Sequence, residues 1–193
     1  QVPDRTTLDY AWIPKSVFEA DLVVSIPAWK CWGDHVTLSL KNIGIGVLPG
    51  KYYGWNRAGR YVLGLDAPIH NPVLRARLGL KHGQSIALAG EIVDVCSIVP
   101  IGLTVIDGTT IVDGNGVAHG ADTIFAGFDP VATDAVATAA IGVDPHKIVS
   151  IELAAERGLG TNKLSKIETR GEPLANVRMN VVPPKGNKAL LLE

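Results

Sequence analysis

Three stretches of this sequence hold residue types that can do chemistry. In the first, Lys30 follows an apolar, β-branched run closed by Pro27, and Thr37-Leu38-Ser39-Leu40-Lys41-Asn42 comes soon after. A lysine just past a buried strand stands where open α/β sheets place their ligands. A helical turn at 37–42 would set backbone N–H groups beside the two ammonium groups, a pairing suited to phosphate or carboxylate. Lys51, Arg57 and Arg60 extend the positive character. The competing reading is a set of solvated surface lysines.

The second stretch is Asp107-Gly108, Asp113-Gly114-Asn115-Gly116 and His119-Gly120. Glycines let backbone approach a ligand, and Asp107 and Asn115 offer hard oxygen donors. The spacing matches no EF-hand, phosphate loop or dinucleotide fingerprint. Asp-Gly and Asn-Gly are also strong turn formers, so ordinary turns at Asp107-Gly108 and Asn115-Gly116 are the plainer expectation. The third stretch is Asp129 with Asp134. Asp129 reads as a helix cap. Asp134 falls in a small, apolar helix, where it needs either an exposed face or a cationic segment to look at.

Composition bounds these ideas. The 193 residues suffice for one domain with a substantial core. A net charge of −1 gives no reason to expect nucleic acid as a partner. Cys31 and Cys96 are the two cysteines, too few for an iron–sulfur cluster built by this chain alone. Cys31 beside Lys30 is a weak candidate for a lowered thiol pKa. The five histidines show no helical i, i+4 pair, and no apolar run reaches the length of a membrane helix. Charged residues make up only 19% of the chain, and mean hydropathy is +0.22, so surface buried in an oligomer or against a missing segment is expected. The chain starts at Gln1, and a processed, truncated or partial chain is expected. Localisation stays open between cytoplasm and export by a removed leader.

The elements that must position these residues alternate. Residues 22–26 read as a buried strand, and 29–64, rich in glycine and aromatics, as a long functional loop. Helices are expected over 71–80 and 85–97, strands over 101–106 and 122–128. Asp129-Pro130 and Asp144-Pro145 are cap-plus-proline helix starts, with stops at Gly142 and Gly158. Late strands are expected at 166–171 and 178–182, then a solvated tail from 183. This order predicts a single α/β domain, a three-layer sandwich with a mostly parallel or mixed sheet and helices on both faces.

Taken together, Asp21-Leu22-Val23-Val24-Ser25-Ile26-Pro27, Lys30 and Thr37 through Asn42 with Gly44 resemble the bacterial and archaeal family called domain of unknown function 362. Later segments agree in order: Asp94, Leu103 through Gly108, Gly114-Asn115-Gly116, Gly120, Asp129 through Ala135, Gly142, Asp144-Pro145 and Gly158-Leu159-Gly160. The resemblance covers about residues 21–171. It implies an α/β fold, a further α/β segment before Asp21, and neighbours that are often ferredoxin-like iron–sulfur domains. Many members carry a histidine two residues after the first lysine, where this chain has Trp32. His35 and His82 are the nearby substitutes.

Three functions are therefore expected to compete, and whether the chain is an enzyme stays open. In the first, Lys30, Lys41 and Asn42, with Thr37, Asn115, Gly116, Asp129 and Asp134 around them, bind an anionic small molecule. Asp107 or Asp134 then acts as a base or holds a divalent metal bridging to the ligand. The second is a redox accessory domain docking an iron–sulfur protein, as the resemblance implies. The third is a non-catalytic binding or assembly module.

Overall fold

A computed structural model of the chain describes residue 8 and residues 11–32, 35–49 and 85–192. The expected helix at 71–80, the loop from 50 to 64 with Lys51, Arg57 and Arg60, and His82 lie outside the described residues. After a single helical turn, α1 (Lys15–Phe18), the chain enters a mixed sheet that has five strands among the described residues. Strands β1 (Val24–Ser25) and β2 (Ala28–Trp32) run in line along one edge of β4 (Leu103–Val112), both parallel to it. Pro27 separates them because it has no N–H to give, yet its carbonyl still accepts from Asp107 N–H at 2.9 Å. Strand β3 (His35–Thr37) lies antiparallel outside β2, and β5 (Ala118–Gly127) antiparallel on the far side of β4.

Two expectations change here. Much of the segment expected as a loop over 29–64 is regular: β2, β3 and helix α2 (Ser39–Gly46) occupy it as far as it is described. Asp107-Gly108 is not a turn but lies inside β4, which continues to Val112. Both ladders shift register around Gly108 to Thr110. Gly108 is required there by packing, since a Cβ would sit 2.5 Å from the Thr123 carbonyl oxygen and 2.9 Å from the Trp29 ring.

Pairing assigns the faces. Ser25 opposite Thr104, Thr104 opposite Gly127 and Ile106 opposite Phe125 share one face. Trp29 joins them, meeting Phe125 edge-on with ring centroids 4.9 Å apart, a favoured aromatic geometry. Helix α2 and helix α4 (Pro130–Ala140) cover this face, and α3 (Ser85–Ile98) and α5 (Val149–Glu156) pack behind them. Buried Leu88, Ile92, Val93, Val95 and Cys96 show α3 wrapped by neighbours on more than one side. On the opposite face Val24, Ile26, Ala28, Asp107, Ile124 and Ala126 are exposed.

Helix α4 begins and ends as its residues dictate. Asp129 accepts from Ala132 N–H at 2.8 Å with Pro130 at the first position, and Gly142 turns the chain at φ +73°. The stretch after Asp144-Pro145 splits into a 3-10 turn at Pro145–Lys147 and then α5. The late strands expected at 166–171 and 178–182 are not formed. Residues 161–179 instead make an irregular strap along α4, from Thr161 beside Asp129 to Met179, whose N–H donates to Ala140 at 2.7 Å. Nor is the end of the chain a free tail. Val182 accepts from Gly114 N–H, and Leu191 bridges to Val143.

Candidate functional site

The residues singled out from the sequence fall into separate places. Asn42 and Asp134 both bond around helix α2, Asp134 to its first N–H groups and Asn42 to Ser25 of β1. Asp134, only 1% exposed, accepts from the N–H groups of Ser39 and Leu40 at 2.9 Å each. Beside it Ser39 Oγ meets Thr104 Oγ1 at 2.7 Å, and Asn42 Nδ2 donates to Ser25 Oγ at 3.1 Å. Burial pushes the Asp134 carboxyl up to about 7, against the lowering effect of its two N–H donors. The start of α2, expected to receive an external anion, is thus occupied by the protein's own carboxylate. That settles the choice left open for Asp134 between an exposed face and the lysine segment in favour of the latter's backbone. Lys41 is buried on this same helix.

Lys30 lies elsewhere. It pairs with Thr37 and Val112, near the β4–β5 hairpin. Its neighbours Trp29 and Cys31 are buried on the helix-covered side, so Lys30, half-buried, alternates to the other. From Thr104 to Val112 the strand covers roughly 25 Å at about 3.3 Å per residue. Asn115 and Gly116, at φ +82°, form the hairpin turn around buried Asp113, which accepts from Asn115, Val117 and the His119 ring. Asp107 sits exposed on the open face, held below its usual carboxylate pKa first by Thr109 N–H and then by its hydroxyl. Asp129 is a cap. Among the described residues these groups are spread over both faces of the sheet and the hairpin turn.

Cys31 departs from expectation as well. Burial foremost, and then the charge of Asp113, push its thiol up to about 12, opposite to the lowering that Lys30 suggested. Among the described residues no group of three or more His, Cys, Asp or Glu side chains is placed to hold a metal ion. No helix among them is long and apolar enough to cross a membrane.

A cavity does form, and of the residues singled out from the sequence Asp129 lines it. Strand β5 is the outer strand beyond β4, and residues 122–129 line an open groove of about 860 Å³. Ala132, Thr133 and Val136 of α4 are its floor, and residues 166–172 with Leu174 and Val177 its far wall. Asp129 builds this groove. One carboxylate oxygen caps α4 while the other accepts from Thr161 N–H at 3.0 Å, and Gly160 presses against the same carboxylate. The strap start is pinned again by Asn162, which donates to Glu152 at 2.6 Å beside a His146–Glu152 contact of 2.8 Å. The groove was missed because its far wall was read as strand.

Comparison with known families adds one assignment. Residues 1–139 match the model of the family described as Domain of unknown function (DUF362). The chain belongs to the DUF362 family. The match takes in β1 to β5 and nearly all of α4, so the groove joins an edge strand and floor inside the DUF362 region to a strap beyond it. No curated protein and no solved structure matches this DUF362 chain.

Proposed function

We propose that this domain is a non-catalytic binding module whose ligand surface is the groove between β5 and the strap. The observation that carries this reading is a strand, outermost among the described residues, that lines a groove of about 860 Å³, a volume within the range typical of ligand sites, about 300–1,000 Å³. Exposed Ile124 and Phe128, the latter 83% exposed, supply the apolar surface at its rim. Binding of an anion at Lys30, Lys41 and Asn42 has less behind it. The backbone donors that would hold the anion are taken by Asp134, and Lys30 alternates to the other side of the sheet. Docking of an iron–sulfur protein rests on the family resemblance alone.

The test is a fragment titration of the full chain, a mixture of small molecules and short peptides followed by amide chemical shifts. Shifts gathered on Ile124, Phe128, Val136 and Leu174 are expected. Shifts gathered instead on Lys30, Lys41 and Asn42 would return the anion reading to first place and remove this one.

A further inference from the structure

We infer that the occupant of the groove is an extended polypeptide segment, added to β5 as a further strand. Its middle is uncharged, with a basic residue at the Asp122 end and an acidic residue at the Lys166 end. The inference rests on the binding-module reading above and names its ligand class.

In an antiparallel pair, alternate residues turn their N–H and C=O groups away from the partner strand. For β5 those groups face the groove, and among the described residues no further strand pairs with them. Exposed regular edges invite unwanted pairing, and proteins blunt them with charges, prolines and bulges. Here the blunting covers only half of the strand. At Asp122, φ is +44° and the ladder shifts register just before Thr123, which disrupts the upper part. Below it Thr123-Ile124-Phe125-Ala126-Gly127 keeps regular pairing with β4 and carries no charge and no proline. Five residues of strand span about 17 Å. Strand addition in a groove between an edge strand and a helix uses these elements: backbone bonds for affinity, side-chain pockets for selection.

The far wall decides the kind of occupant. Residues 166–172, with Leu174 and Val177, line the same groove as β5, and an enclosed edge of this kind suits a single extended chain better than the edge of a second folded sheet. The charges of the lining decide its ends. Asp129 is used by Ala132 and Thr161, Arg170 pairs with Glu168, and Glu172 receives the Asn176 amide. Asp122 and Lys166 remain available. Asp122 lies at the upper end of the regular stretch, and Lys166 follows Thr161, which is bound at Asp129 beyond the lower end.

The probes are two end-blocked peptides, Lys-Val-Thr-Val-Thr-Val-Glu and its reversal, added at millimolar concentration to the full chain. One of them is expected to bind and to slow hydrogen exchange at alternate amides of 123–127 by about tenfold or more. Lys166→Glu should weaken that peptide by about three- to fivefold, the scale of an exposed ion pair, and a peptide with glutamate replaced by lysine should recover it. Val136→Trp, which fills the floor, should abolish binding while the thermal melt stays cooperative. Failure of both peptides overturns the strand inference, whereas fragment shifts at Ile124 and Val136 would leave the binding-module reading standing. Binding without altered exchange at 123–127 overturns it too. So does protection of those amides before any peptide is added, whether it grows with concentration, as for a second copy, or not, as for a segment of the same chain.

Discussion

Asp134 caps a helix that begins at Ser39, 95 residues before it, because the N-cap position of that helix is filled by Leu38, which has no side-chain acceptor to offer. Both carboxylate oxygens are used, one on Ser39 and one on Leu40. Burial raises the pKa of this carboxyl from the usual 3.8 to about 7. The folded state therefore holds the proton more tightly than the unfolded chain between those values. Proton linkage then makes this contribution to stability fall as pH rises through the window from 3.8 to about 7, and level off above it. Urea unfolding of the native chain and of Asp134→Asn at pH 5, 6, 7 and 8 measures it. The difference between the two proteins should shift with pH up to about 7. A difference independent of pH would show that Asp134 titrates normally.

Helices α2 and α3 cross where Gly44 meets Ile92. A Cβ on Gly44 would lie 2.8 Å from the Ile92 Cα, a backbone atom that cannot turn aside. Gly44→Ala should cost about 1–3 kcal/mol, the scale of overpacking a core, and trimming Ile92 to alanine should not rescue it. Gly46→Ala is the control. Nothing lies within 4 Å of its would-be Cβ, so gains of about 0.4–1 kcal/mol from lower unfolded-state entropy are expected. Equal effects at the two positions would contradict the close crossing.

What could be read from the sequence follows from how local each cause is. Asp129-Pro130 and Gly142 bound α4 by contacts within a few residues, and the helix starts and stops there. The apolar run over 22–26 suggested a buried strand, but only Val24–Ser25 pair and Leu22, Val24 and Ile26 are exposed, because one face of the sheet stays open in the described residues. The start of α2 was visible only as a plausible turn, because its cap comes from a distant helix. Residues 166–171 and 178–182 suggested strands because Ile167, Met179 and Val181 are apolar and spaced. They are spaced to pack an irregular strap against the core, and the pattern of burial alone does not separate the two. Gly108 was taken for a turn glycine, when its role is to let the Thr123 backbone and the Trp29 ring approach. Of these three, only the strap lines the groove, and Asp129, read from the sequence as a cap, gave no sign that it also anchors that strap.

Asp94 on α3 is fully buried and pairs with Arg157, the residue that ends α5, at 2.8 Å. Its other oxygen accepts from Leu8 N–H at 2.7 Å. Removing one partner of a buried pair strands the other, which typically costs about 3–5 kcal/mol. Asp94→Ala and Arg157→Ala should each destabilise on that scale, and the double variant by much less than their sum. Additive losses in a double-mutant cycle would mean that the pair does not couple α3 to α5.

The two thiols should be inert in the folded protein. Cys31 lies on the buried side of β2, alternating with Lys30, so the ammonium next to it in sequence points across the sheet. Burial first, and Asp113 second, raise its pKa to about 12, and burial raises Cys96 in the same direction. Alkylation needs the thiolate and access to it, and both are denied. Iodoacetamide at pH 8 should modify neither cysteine at an appreciable rate in the native chain, and both at the rate of a free thiol in urea. Native labelling at Cys31 faster than in urea would mean that Lys30 does activate it, and that the hairpin end of β2 opens to solvent as a reactive site.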